Sequence, residues 1–314
     1  MKTQQSGRIL VIFSVMTALV LATSSAFAGM LVDSQWVNSM AGKPGVKIID
    51  VQKKADAYEI GHIPGALRVA SHVDLEDYTR YTPNKYPQQA QFLDLMARLG
   101  ISNNDTIVAY DDKQGIFASR FLFVMKLYGH DPNKLKVLDG GIVQWQKANN
   151  SMTTEPVTAV SAPPYKTSGP NQDLLVTWND VLRDTVDGQK SEVVLLDSRP
   201  VDEFTGKNIR AIRGGHIPGA INVTGASAAN DKESHLYKSA EQIRATFAEA
   251  GITSDKTVYV YCHSSDRAAH VYMVLTQMLG YKNVKIYDGS WKEWAALTAL
   301  PAANESWQVA VPTK

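Results

Sequence analysis

The sequence predicts an α/β fold of two tandem domains, each a mostly parallel sheet with helices on both faces. Three observations carry this expectation. The hexapeptide Gly61-His62-Ile63-Pro64-Gly65-Ala66 returns unchanged as Gly215-His216-Ile217-Pro218-Gly219-Ala220, about 150 residues later, with its flanking motifs in the same order. Within each copy, short β-branched runs alternate with stretches of helical apolar spacing. Glycines fall where those helices should stop. A repeat this long is a duplicated domain rather than a solenoid unit, and strand–helix alternation implies crossover connections and parallel pairing.

Taken in order, Ile48-Ile49-Asp50 precedes the first hexapeptide and Leu195-Leu196-Asp197 the second. Met96-Ala97-Arg98-Leu99-Gly100-Ile101 then matches Phe247-Ala248-Glu249-Ala250-Gly251-Ile252, each a helix end closed by glycine. The strand Thr106-Ile107-Val108-Ala109-Tyr110 matches Thr257-Val258-Tyr259-Val260-Tyr261. Val137-Leu138-Asp139-Gly140-Gly141 with Trp145 matches Ile286-Tyr287-Asp288-Gly289-Ser290 with Trp294. In the second copy, residues 193–196 and 258–261 read as buried strands, and residues 240–250 and 268–279 as helices. Gly100, Gly129, Gly251 and Gly280 mark helix ends. Residues 153–173 are rich in Pro, Ser, Thr and Ala and weak in periodicity. They place the first domain at 29–155, a linker at 156–172 and the second domain at 173–314.

Residues 1–28 read as a secretory signal peptide. Lys2 and Arg8 precede an apolar stretch over residues 9–22, and Ala26-Phe27-Ala28 offers a small-x-small cleavage site. The expectation is export, to a periplasm in a Gram-negative source. Removal of residues 1–28 leaves roughly 290 residues, enough for two domains. The formal charge is +1 with 20% charged residues and no basic block, which gives no electrostatic reason for nucleic-acid binding. No later apolar run is long enough to span a bilayer, so no membrane contact is expected after cleavage. Seven scattered histidines and one cysteine form no closed metal-ligand set. Neither a metal nor a cofactor is expected.

The chemistry centres on Cys262, the one cysteine in the chain. In an exported protein an unpaired cysteine is either a reactive thiol or half of an intermolecular disulfide. It follows the strand ending in Tyr261, whereas Asp111 follows the equivalent strand ending in Tyr110. The fold thus does without a cysteine at this position, which favours reactivity over packing. Ligands of open α/β sheets bind at the carboxyl ends of strands. Residues 262–267 read as a six-residue loop leading into a helix at Ala268, and such a loop can turn several N–H groups onto one point. A thiolate at Cys262 is stabilised there, with Arg267 adding a positive charge. The fitting mechanism is covalent: the thiolate takes a sulfane sulfur as a persulfide and passes it to a nucleophile in a second half-reaction.

These residues together resemble the rhodanese sulfurtransferases in their tandem two-domain form. The resemblance rests on the repeated hexapeptide, Leu196-Asp197-Ser198-Arg199, the strand-Cys262-loop and Asp288-Gly289-Ser290-Trp291-Lys292-Glu293-Trp294, and covers the mature chain. It implies a non-catalytic first domain, a persulfide on Cys262 and loop amides from His263, Ser264, Ser265, Asp266 and Arg267. It also implies a small anionic donor of the thiosulfate kind and a thiol or cyanide-like acceptor. The sequence departs from the thiosulfate and mercaptopyruvate enzymes in ending its loop at Arg267 and in placing Glu203 where many of the latter carry arginine before the aromatic at Phe204. Asp266 adds a negative charge beside the expected anion site.

Other residues divide between site and scaffold. Arg199 and Arg213 are candidate substrate contacts and Arg210 an anion guide, whereas a surface ion pair of Asp197 with Arg199 is the structural alternative. His263 is a candidate for tuning the thiolate. His62 and His216 belong to the repeated turn, and Trp291 and Trp294 to packing. Two further functions remain in view. One is a carrier or sensor of sulfane sulfur that does not turn over, or a partner-binding protein. The other is a phosphatase, disfavoured because its related loop is Cys-x5-Arg and the spacing here is one residue shorter.

Overall fold

The computed structural model describes residues 29–77 and 85–304, so the expected signal peptide lies outside the described residues. The first domain contains β1 (Leu31–Val32), α1 (Ser34–Met40), β2 (Val46–Asp50), α2 (Ala57–Ile60), β3 (Leu67–Arg68), α3 (Ser71–Asp74), α4 (Gln89–Leu99), β4 (Thr106–Tyr110), α5 (Ile116–Leu127), β5 (Leu135–Leu138) and α6 (Gly141–Lys147). The second contains β6 (Leu175–Val176), α7 (Trp178–Val181), β7 (Val193–Asp197), α8 (Val201–Phe204), β8 (Ile221–Asn222), α9 (Gly225–Ala229), α10 (Ala240–Glu249), β9 (Thr257–Tyr261), α11 (Asp266–Met273), β10 (Val284–Tyr287) and α12 (Ser290–Ala296). The sheets run β1-β5-β4-β2-β3 and β6-β10-β9-β7-β8, with parallel pairing between neighbours. Asp50 registers with Tyr110 and Asp197 with Tyr261, so the copies match residue for residue at their central strands. The two α/β sheets expected from the repeat are present.

The repeated hexapeptide is a corner of each domain. Its glycines Gly65 and Gly219 both hold φ +81°, a left-handed conformation that disfavours side chains. His62 stacks on Tyr58 and His216 on Phe204, each with ring centroids 3.6 Å apart. Their Nδ1 atoms lie 2.7 and 2.9 Å from the carbonyls of Tyr58 and Phe204. Both histidines also bridge to the chain leaving their domain, at Thr153 and Ala303. They hold the turn.

Two helices deserve comparison with the sequence. α5 is buried on nearly every face because its residues, Ile-Phe-Ala-Ser-Arg-Phe-Leu-Phe-Val-Met-Lys-Leu, are apolar all round. It packs on the buried α11 of the other domain, with Phe123 edge-on to Tyr272 at 5.0 Å. A continuous core therefore runs through both domains. α11 begins at Asp266 rather than at the expected Ala268, because Ser265 adopts φ +74° and its carbonyl accepts the Ala269 N–H at 2.8 Å. Past Met273 it widens into a π-turn, Val274–Met278, with Leu279 N–H reaching the Val274 carbonyl at 3.1 Å.

The domains are also joined by crossed loops. Tyr86 N–H of the first domain donates to Asp288 Oδ2 of the second at 2.7 Å, while Tyr237 N–H of the second donates to Asp139 Oδ1 of the first at 2.9 Å. Asp139 and Asp288 are equivalent positions of the repeat. Arg120 on α5 reaches across to Asp288 Oδ1 at 2.7 Å and to Ser265 Oγ at 3.1 Å.

Candidate active site

Cys262 leaves the carboxyl end of β9, a central strand flanked by β10 on one side and β7 on the other. From β9 the chain continues to β10, whereas β7 came earlier, so Cys262 stands where the winding reverses and ligands bind. Its backbone is held on both sides: its N–H donates to Ser290 Oγ at 3.2 Å and its carbonyl accepts the Trp291 N–H at 2.9 Å. The residue is only 1% exposed. Among the described residues, none supplies an acceptor to the amides of residues 263–267. Those amides belong to the loop and to the first turn of α11.

The first domain shows what such a loop does. After β4, the Asp111 carboxylate turns back into its own loop and the start of α5. Its Oδ1 accepts from the N–H groups of Lys113 and Gly115 at 2.7 and 2.9 Å. Its Oδ2 accepts from Phe117 and Ala118 at 2.7 and 2.9 Å. Four N–H groups thus converge on one anion, as the loop and helix N-terminus favour. Burial nevertheless outweighs these bonds and pushes the carboxyl up to about 6.

Around Cys262 the charges are paired. The Arg267 Nη1 and Nη2 donate to the Glu203 carboxylate at 2.9 and 3.1 Å, and Arg210 Nη1 donates to the same carboxylate at 3.0 Å. Burial lowers the Arg267 guanidinium, but charge and a hydrogen bond at Cys262, together with Glu203, overcome it and raise it above the arginine norm. Burial works against the Glu203 carboxylate too, and the two arginines hold it below the usual range. Burial, reinforced by the charge of Arg210, pushes His263 down to about 4, so its ring is neutral at pH 7. Its Nδ1 has no hydrogen-bond partner among the described residues. Ser264 Oγ donates to Asp266 Oδ2 at 3.2 Å, and burial raises the Asp266 carboxyl against the pull of Arg120 and His72.

Ser264, Asp266 and Arg267 line a cavity of about 230 Å³ together with Arg210 and, from the first domain, Lys53, His72 and Lys113. The cavity thus lies between the domains, and Arg267, which lines it, also interacts with Cys262.

Two of the expected substrate contacts have partners within their own domain. Arg199 is 1% exposed and its guanidinium is taken by Asp197, with Nη2 at 2.6 Å from Oδ2, and by the Gly215 carbonyl at 2.8 Å. Its guanidinium carbon lies 4.9 Å from the Trp291 ring centroid, and its bonds tie β7 to the hexapeptide corner. Arg213 donates to the carbonyls of Leu300, Trp294 and Leu297 at 2.8, 3.0 and 3.2 Å. It caps the end of α12, where orphan carbonyls attract a cation. Trp291 and Trp294 are buried core residues. Arg120 was not singled out in the sequence, although an arginine in the middle of an apolar helix is a sign of a buried ion pair. Among the described residues no group of His, Cys, Asp and Glu is arranged to hold a metal, and no helix is long and apolar enough to cross a membrane.

The rhodanese-like domain family matches residues 33–148 and again residues 179–297. A Saccharopolyspora erythraea protein named "Putative thiosulfate sulfurtransferase" is 35% identical over 88% of this chain and 96% of its own. The sulfur carrier protein TtuD of Thermus thermophilus is 34% identical over the same shares. The anaerobic ergothioneine biosynthesis enzyme of Chlorobium limicola shares the fold with a TM-score of 0.77 at 23% identity, over 87% of this chain and 70% of that one. With two matched domains and relatives similar along nearly their whole length, this chain belongs to the rhodanese-like sulfurtransferase family.

Proposed function

We propose that the protein is an enzyme that moves sulfane sulfur from a small anionic donor of the thiosulfate kind to a thiol or cyanide-like acceptor through a persulfide on Cys262. In the first half-reaction the thiolate attacks the outer sulfur of thiosulfate, forming the Cys262 S–S bond while the sulfur–sulfur bond of the donor breaks and sulfite leaves with the electron pair. In the second, the acceptor attacks the outer sulfur and the Cys262 thiolate departs. The observation that carries the reading is the Asp111 nest: the same chain binds an anion with converging amides at the equivalent strand end, and at Cys262 the corresponding amides stand open. A persulfide anion there would take the place that the carboxylate holds in the first domain. Neutral His263 leaves the positive charge at the thiol to Arg267.

A carrier that holds sulfur without turnover is the second reading, favoured by the similarity to TtuD and by the burial of the thiol. Intact mass after thiosulfate treatment separates these readings. One added sulfur, removed by cyanide with repeated turnover and lost in Cys262→Ser, is expected for the enzyme. A single stoichiometric release supports the carrier, and no added sulfur from thiosulfate, mercaptopyruvate or polysulfide would sink both. We further propose export to the periplasm, for which the mature protein should begin at Gly29 on N-terminal sequencing.

A further inference from the structure

We propose that Glu203 determines donor specificity: as a built-in anion it occupies both Arg267 and Arg210, and so limits the negative charge of molecules that reach Cys262. The inference rests on Cys262 being the reacting thiol.

Glu203 sits on α8 and is 4% exposed, yet it is bonded to two arginines that line the cavity between the domains. Its charge is therefore permanent at neutral pH, and the trio carries a net charge of one rather than two. The pattern extends round the cavity, where Lys113 lies 3.5 Å from Asp112 and His72 lies 2.6 Å from Glu76. Glu203 differs from those carboxylates in position, because its partner Arg267 lies at the start of α11, directly after the loop that Cys262 opens, and its charge acts on the thiol. A doubly charged donor that takes Arg267 must displace Glu203 and leave a buried carboxylate with one partner fewer, which is strongly unfavourable. A donor with one charge or none gains less from Arg267 and has no need to displace the carboxylate. Glu203 thus holds the rate with a dianion such as thiosulfate below what two free arginines would give, leaves donors of low charge little affected, and acts on the reaction through the arginines rather than by touching sulfur.

The test reads charge at the thiol without requiring sulfur transfer. Cys262 of the full-length protein is alkylated with iodoacetate and with iodoacetamide, reagents of nearly the same shape that differ by one negative charge, and the rates are followed by intact mass. Glu203→Gln should raise the iodoacetate-to-iodoacetamide rate ratio by about tenfold, Glu203→Asp should keep the wild-type ratio, and Arg210→Gln should lower it. Thermal melts confirm that each variant is folded. Both rates changing together at constant ratio would show that Glu203 only props the structure, and a thiol inert to both reagents in every variant would equally overturn the proposal. A chain that alkylates as expected but accepts sulfur from no donor would overturn the sulfurtransferase reading alone.

Discussion

At Asp111 the chain buries a carboxyl group and surrounds it with four N–H donors, and the two effects pull its protonation in opposite directions. Burial wins, and the folded-state value of about 6 lies above the ordinary 3.8. The folded protein therefore binds more protons than the unfolded chain between those values, and this group's contribution to stability falls as pH rises through them. Asp111→Asn removes that slope. The wild-type advantage over the variant should grow as pH is lowered from 6 to 4, by up to about 3 kcal/mol, in denaturant melts at stepped pH. A difference that stays flat would mean that the carboxyl is not buried as described. His263 has the opposite sign: its depressed value means that acid below its ordinary 6.5 destabilises the fold, while its ring does not titrate near neutrality. The contrast between Asp111 and Cys262 was legible because the repeat sets them at one aligned position. The uses of Arg199 and Arg213 were not, since their partners are Asp197 and main-chain carbonyls whose positions depend on the folded corner.

At the scale of elements, the start of α11 decides the shape of the loop. Ser265 takes a left-handed conformation that costs a non-glycine residue about 1 kcal/mol, and its hydroxyl accepts from the buried Arg120. Ser265→Ala keeps the strain and loses the acceptor, with an expected loss of about 1–2 kcal/mol, whereas Ser265→Gly recovers part of it by removing the strain. Equal destabilisation by both in chemical denaturation would argue against the strained start. Sheet strands were readable from runs such as residues 257–261, because burial on both faces demands β-branched and aromatic side chains throughout. The loop was read two residues too long. Asp266 and Arg267 are polar and resemble loop residues, but an acidic residue in the first helical turn is favourable and Glu203 offsets the arginine that follows it.

The whole molecule is organised about the α5–α11 interface. Arg120 is fully buried there, paired with Asp288 across the domain boundary. Its removal leaves that carboxylate with the Tyr86 N–H but without its countercharge. Arg120→Met should therefore cost about 3–5 kcal/mol. The loss should appear as one cooperative transition at lower denaturant, since the core is shared between domains. Two resolved transitions in the wild type would contradict the shared core. The crossed loops have a further consequence, for separability. Tyr86 completes the environment of Asp288 and Tyr237 that of Asp139, so each half of the duplication finishes the other half's strand-end loops. The halves are therefore expected not to be portable modules: cut at the linker, the cysteine-bearing half would lose Arg120 from Ser265, and two unfinished units would stand where the joined chain makes one.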